Sequence, residues 1–203
     1  KGMTYVSIPG IARGQTNVRK DQMTIQQNNL ITAHPLRGDA DFWRVRELLI
    51  ETYSHTPLGF NWDVRRWDGS RFHHEAPDWA ERCAGRVQLW ETTDGQLVGA
   101  VNPEGEGDAY LQVHPDFRSL EADMVAWAEE HLATPNVEGR RALEIFVYDY
   151  DAPRQQLLKK RGYTQMTYGG VVRRLCLAEQ TPEPVTLATG YQLRTTEPAS
   201  PRQ

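Results

Sequence analysis

Between Leu111 and Leu132 the chain passes from a strand through a turn into a helix, and that succession restricts the fold more than any other stretch. Ala109–Val113 has strand character and His114–Arg118 reads as a turn. From Ser119 the apolar residues Leu120, Met124, Trp127, Ala128 and Leu132 recur at helical spacing, which predicts a helix with one buried face. Ser119 is placed to cap it, and Glu121 and Asp123 suit the positive end of a helix dipole. A strand feeding a helix N-terminus turns free N–H groups outward, a geometry suited to holding a phosphate.

The flanking segments supply strands and further helices. Leu30–Pro35 reads as a strand, and Asp39 or Asp41 can cap a helix with Phe42, Val45, Leu49 and Tyr53 on one face. It stops near the turn Thr56-Pro57-Leu58-Gly59. A block rich in aromatic and basic residues follows, Phe60 to His74, with a short helix from about Asp63. Trp62, Trp67 and Phe72 with Arg65, Arg66 and Arg71 allow two readings. They line a pocket for an anionic or planar ligand, or they pack a helix on the sheet and place its arginines in surface ion pairs. Arg86–Glu91 and Gln96–Val101 are strands joined by Asp94-Gly95, a strong hairpin signal. Arg141–Tyr150 has the dense apolar centre of an interior strand. A helix from Pro153 carries Leu157 and Leu158 and ends at Gly162, and Tyr163–Tyr168 and Val171–Leu177 read as a strand pair broken by Gly169-Gly170.

The ends read differently. Residues 1–22 show no periodicity and are read as an extension outside the fold, or else as an ordered arm packed on a neighbour. Residues 23–178 form the folded domain. Residues 179–203 begin as a linker at Thr181-Pro182-Glu183-Pro184, and Gly190–Pro198 reads as a short strand that could open a second unit.

Charge and composition exclude several functions. Residues 23–178 carry 17 Lys+Arg against 23 Asp+Glu, so clustered phosphate contacts are lacking and nucleic acid is a poor partner. No apolar run approaches the roughly 20 residues that span a bilayer, and the first residues lack the apolar core of a signal peptide. Cys83 and Cys176 give neither a disulfide framework nor a metal spacing. The expectations are a cytoplasmic protein, no metal and no membrane or nucleic-acid partner, with both thiols buried.

Taken in order, these elements resemble the GNAT superfamily of acyl-CoA N-acyltransferases over roughly Thr24–Leu177. Glu91–Gly99 resembles the family's central hairpin. Val113-His114-Pro115-Asp116-Phe117-Arg118 resembles the segment leading into its coenzyme A pyrophosphate loop, and Asp151–Tyr163 its late helix ending in Gly-Tyr. The resemblance implies an α+β fold with a central, mostly antiparallel, splayed sheet flanked by about four helices. It implies acetyl-CoA as cofactor and a small amine as acyl acceptor. The strands near Val113 and Phe146 would part to admit the pantetheine arm, and Val113, Arg118, Ser119 and Leu120 would hold the cofactor. The chain also resembles the amino-terminal unit of tandem members, which carry two such units.

Several residues depart from the family pattern. Two loop glycines are replaced by Glu121 and Asp123, whose carboxylates would face a dianionic pyrophosphate. Each like-charge pair at a few ångströms costs about 1–4 kcal/mol, depending on screening, which cancels the about 0.3–2 kcal/mol that a helix terminus supplies. Leu158 stands where the family often places a tyrosine acid, and Asp151 where it often places an asparagine. Tyr148, Tyr150 and Tyr163 lie near enough to substitute, His114 at the turn is a candidate base, Glu144 on its strand could hold a water, and no catalytic residue is assigned. Two functions therefore stand side by side. One is an acetyl-CoA-dependent N-acetyltransferase with an atypical loop. The other is a catalytically degenerate unit serving as scaffold, partner-binding or ligand-sensing module, with a homodimer as a further expectation.

Overall fold

The computed structural model describes residues 2–9, 31–53, 55, 60–73, 79–171 and 185–192, and of residues 2–9, 168 and 171 the backbone alone. The chain divides into two units, residues 1–172 and 173–203. In the second, residues 185–192 end in a turn closed by the Tyr191 N–H on the Ala188 carbonyl at 3.1 Å. The strand expected from Gly190 is absent at residues 190–192, and its remainder lies outside the described residues.

The first unit contains strands β1 (Gly2–Pro9), β2 (Ile31–Pro35), β3 (Gln88–Thr92), β4 (Leu97–Asn102), β5 (Asp108–Val113), β6 (Thr134–Pro135), β7 (Arg141–Tyr148) and β8 (Thr164–Val171). Its helices are α1 (Asp39–Tyr53), α2 (Val64–Phe72), α3 (Trp79–Cys83), α4 (Glu121–His131) and α5 (Ala152–Lys160), with a 3-10 helix over Pro115–Leu120. The sheet runs β2-β3-β4-β5-β7-β1-β8, with β6 beside β7. Its pairings are antiparallel except β5 with β7. This is the central, mostly antiparallel sheet that was expected, and it splays where its one parallel pairing ends.

Alternation along the strands explains the layering. Leu143, Ile145 and Val147 of β7 join Leu111 and Val113 of β5 in a core with Met124, Val125 and Ala128 of α4 and Leu158 of α5. Phe146, Tyr148 and Tyr110 lie in the opposite core, with Phe42, Val45 and Leu49 of α1, Trp67 of α2 and Trp79 of α3. Helices thus cover both faces.

Three sequence expectations are corrected. Gly2–Pro9, set aside as part of an extension, forms a strand between β7 and β8, with Met3 opposite Tyr148 and Ser7 opposite Thr164. A strand paired on both sides satisfies its backbone groups without any side-chain period, so pattern reading passes over it. Ser119 is not the cap of α4. Pro115 starts a 3-10 helix directly after His114, and this helix runs into α4 through Leu120, which makes no side-chain cap. Finally, Gly169 and Gly170 do not break β8, which pairs with β1 through both. Residues beyond Val171, with Cys176, lie outside the described residues until 185.

Candidate functional site

The strands β5 and β7 pair only at Asp108↔Glu144 and Ala109↔Ile145, and then part. The parting leaves backbone groups of β5 in need of partners. His114 N–H donates to Val98 C=O at 2.8 Å, so the alternate residue Val113 turns its own groups away from β4, toward the gap. Asn61 takes up both: Val113 N–H donates to Oδ1 at 2.9 Å, and Nδ2 donates to Val113 C=O at 3.0 Å. Arg154 Nη1 donates to Leu111 C=O at 3.5 Å. The Asn61 segment is itself fixed, because Trp62 N–H donates to Gln112 Oε1 at 2.9 Å and Asn61 Nδ2 also donates to Thr52 Oγ1 at 2.8 Å. The space left among Phe60, Tyr110, Phe146, Tyr148 and Arg154 is about 10 Å³, room for about one water.

The mouth of the gap is closed by four charged side chains. Glu121, Asp151 and Arg154 are each 3% exposed. Glu121 accepts from Arg154 Nε at 3.0 Å and Nη2 at 3.2 Å, and from Arg118 Nε at 2.7 Å. Arg118 Nη2 donates to Asp151 Oδ1 at 2.6 Å, and Asp151 caps α5 by accepting Arg154 N–H at 3.3 Å. Both guanidiniums lie over the Phe60 ring, at 5.0 and 5.6 Å. Burial alone pushes the Glu121 carboxyl up, but the Arg154 charge and the hydrogen bonds of both arginines hold it below the usual carboxylate range. Two positive and two negative groups leave the cluster neutral.

The residues read as cofactor ligands are therefore distributed as follows. Val113 is buried with its backbone bound to Asn61. Arg118 is committed to Glu121 and Asp151. Ser119 is exposed on the 3-10 helix, and Leu120 is in the core. Glu121 N–H bonds back to Arg118 C=O, so one of the N–H groups expected to face outward is used within the chain. Of the two acidic replacements, Glu121 turns inward and Asp123 remains exposed.

The candidate acids and bases are scattered. Leu158 is 1% exposed in the core. Tyr148 borders the gap, and burial raises its pKa. Tyr163 packs in the core that holds Leu158, on the other face of the sheet from Tyr148, and burial and the Glu129 charge raise its pKa too. Tyr150 stacks on Tyr148 at 5.1 Å. His114 caps the 3-10 helix by accepting Asp116 N–H at 3.2 Å, and its Nε2 lies 3.6 Å from Glu51. Glu144 sits at the closed end, where its N–H donates to Gly107 C=O at 2.8 Å. Sequence reasoning missed Asn61 and Arg154, which carry most of the closure. The one local signal for them is a polar residue within an aromatic run and an arginine one turn after a helix cap.

The aromatic and basic block supports the packing reading in part. Trp67 stacks on Phe42 at 5.4 Å, Arg71 pairs with Asp39 at 2.8 Å, Arg65 pairs with Asp63 at 2.8 Å, and Arg66 pairs with Glu104. Phe72 is 60% exposed. A cavity nonetheless opens beside Trp62 and Trp79. Among the described residues no His, Cys, Asp and Glu cluster could hold a metal ion, and no helix is long and apolar enough to cross a membrane.

No family model matches the sequence, and no curated protein matches it. Among solved structures the chain is similar to a GCN5-related N-acetyltransferase from Sphaerobacter thermophilus, with 20% identity and a TM-score of 0.47. That match covers 81% of this chain and 48% of the other, so this chain spans about half of that protein's length.

Proposed function

We propose that this chain is a GNAT-fold unit that serves as a scaffold and ligand-binding module rather than carrying out acyl transfer itself. The observation that carries the reading is the filled gap between β5 and β7. Asn61 occupies the Val113 backbone, and the Arg118–Glu121–Arg154–Asp151 cluster closes the mouth. The residues present do not fit coenzyme A. A pyrophosphate would have to draw Arg118 from two carboxylates while approaching Glu121, and a pantetheine arm would have to displace Asn61. Removing one partner from a buried ion pair costs about 3–5 kcal/mol, more than a helix terminus returns. Composition supports a cytoplasmic protein without nucleic-acid or membrane partners.

A second reading is an acetyl-CoA-dependent N-acetyltransferase acting on a small amine, and the retained parting of β5 and β7 favours it. Calorimetric titration with acetyl-CoA and with coenzyme A, at low and moderate salt, separates the two. The expected result is no heat of binding up to millimolar ligand. Micromolar binding overturns the non-catalytic reading, and a screen of amine acceptors then tests the second.

A further inference from the structure

We infer that the outer face of α1 is a contact between two copies of this chain, whose α1 helices lie side by side and parallel about a two-fold axis. Among the described residues of the first unit five large apolar side chains are exposed, and four of them, Trp43, Ile50, Tyr53 and Phe72, stand on α1 and α2. Scattered exposed apolar residues are ordinary, whereas adjoining ones mark a contact surface. Here they adjoin. The Trp43 and Phe72 rings are 6.3 Å apart, and Ile50 follows Trp43 two turns along the helix. Trp43 is held in place, edge-on to the buried Phe42 ring at 5.2 Å.

The charges beside this line say what covers it. At 3.6 residues per turn Trp43 and Ile50 lie within about 10° of one line along α1, with Arg46 about 50° to one side and Glu47 about 50° to the other. Glu47 is exposed, and among the described residues its carboxylate has no ion-pair or hydrogen-bond partner. Arg46 donates to both Asp68 oxygens, at 3.0 and 3.2 Å, through Nε, so its two terminal nitrogens remain for an acceptor from outside. A cation on one flank and an anion on the other make the face complementary to itself. A two-fold axis running along α1 sets Trp43 against Trp43 and Ile50 against Ile50, and brings Arg46 of each copy opposite Glu47 of the other. Antiparallel packing would instead bring Arg46 to Arg46 and Glu47 to Glu47.

The position of α2 agrees with the parallel arrangement. The pairs Arg46–Asp68, at 3.0 Å, and Arg71–Asp39, at 2.8 Å, set α2 on the Arg46 flank. The Glu47 flank carries Ala40, exposed and small. In the parallel pair each Phe72 ring, 60% exposed, therefore meets the Ala40 flank of the other copy, whereas antiparallel helices would set α2 against α2. The apolar layers supply the attraction, and the exposed Arg–Glu pairs, worth little by themselves, fix the orientation. None of these side chains lines the gap between β5 and β7, so the inference goes beyond the proposed function and stands whether or not that gap binds coenzyme A.

Sedimentation equilibrium of the full chain, from micromolar to millimolar concentration, is the test. One helix face with a flanking ring is smaller than a standard interface, so a dimer dissociating at roughly 10–100 µM is expected. Glu47→Arg and Ile50→Glu, both at exposed positions, should each weaken it roughly tenfold or more and leave Tm unchanged. Arg46→Glu should weaken it as well. An equimolar mixture of Glu47→Arg and Arg46→Glu chains should associate about as tightly as the unsubstituted chain, because opposite charges again face each other at both positions. Three results overturn the inference: a monomer at millimolar concentration, which leaves the face to a different partner or to solvent; a dimer as tight with Glu47→Arg as without it, which antiparallel docking or another surface would give; or a mixture no tighter than its two components. If Arg46→Glu fails to fold through loss of its Asp68 pair, the first two results decide.

Discussion

Glu121 and Arg154 meet through two hydrogen bonds, at 3.0 and 3.2 Å, and both side chains are almost fully buried. A buried pair of this kind is expensive to halve and cheap to replace whole. Arg154→Leu leaves Glu121 with Arg118 as its remaining cation and should destabilise the chain by about 3–5 kcal/mol, with Glu121→Leu in a similar range. The double variant should recover most of that loss, giving a coupling energy above about 2 kcal/mol in a urea double-mutant cycle. Additive losses would mean that the two side chains act separately.

The same pair sets a dependence on acid. The folded Glu121 carboxyl lies below its ordinary value of 4.5, because the arginine charges and hydrogen bonds outweigh burial. A folded value below the unfolded one contributes stability that is present above the unfolded value and is lost as pH falls through the folded one. Unfolding free energy should therefore drop between about pH 5 and 3, and Glu121→Gln should flatten part of that drop. Glu91, Glu104 and Asp63, each held below its ordinary value chiefly by an arginine hydrogen bond, from Arg44, Arg66 and Arg65 in turn, remain in the variant and keep the rest of the slope. Urea midpoints measured across this range give the comparison. Identical slopes would show that Glu121 titrates alike in both states.

What the sequence disclosed follows the range of the forces involved. The α1 helix announces itself through Phe42, Val45 and Leu49, which the structure buries fully, because a helix face is a local repeat, whereas Tyr53, read on the same face, is the last residue of the helix and is exposed. Asp94-Gly95 and Gly162 mark a hairpin and a helix end, since positive φ, +86° and +90°, is a demand that glycine meets alone. The two carboxylates Glu121 and Asp123 in the first turn of α4 were legible too. What Glu121 does there was not. Its partner Arg154 is 33 positions away, and Asn61 is 52 from Val113. Pairings at that separation have no periodic trace. The strand Gly2–Pro9 was passed over for a related reason: Thr4, Tyr5, Val6 and Ile8 are strand formers, but they make one short run whose partners in β7 and β8 are distant in sequence.

Asn61 offers a direct measure of the closure. Asn61→Leu keeps the approximate volume but strips partners from Val113 N–H and C=O, both in the protein interior. Each unsatisfied buried group costs about 1–3 kcal/mol, so a loss of about 2–6 kcal/mol is expected for the two. Amide exchange at Val113 should accelerate more than at Ala100, on the neighbouring strand. A loss below about 1 kcal/mol would mean that water replaces the amide without difficulty and that the gap is more open than the Asn61 bonds imply.

Gly107 holds the other end of the parting strands. Its φ is +76°, and a Cβ built there would strike Thr134 Oγ1. Its carbonyl accepts Glu144 N–H at 2.8 Å, one residue before Asp108, where the short pairing of β5 with β7 begins. Gly107→Ala therefore meets a strained backbone and a collision together, and should cost about 2–4 kcal/mol. Gly69, inside α2 with nothing within 4 Å of its missing Cβ, meets neither, and Gly69→Ala should stabilise by about 0.5–1 kcal/mol through helix propensity. Thermal unfolding of the two variants, with amide exchange at Glu144, reads the contrast. If Gly107→Ala is as mild as Gly69→Ala, the loop shifts freely and the closed end of the gap is not pinned by Gly107. If Glu144 exchange rises with the predicted loss, the single parallel contact between β5 and β7 depends on a position where a side chain has no room.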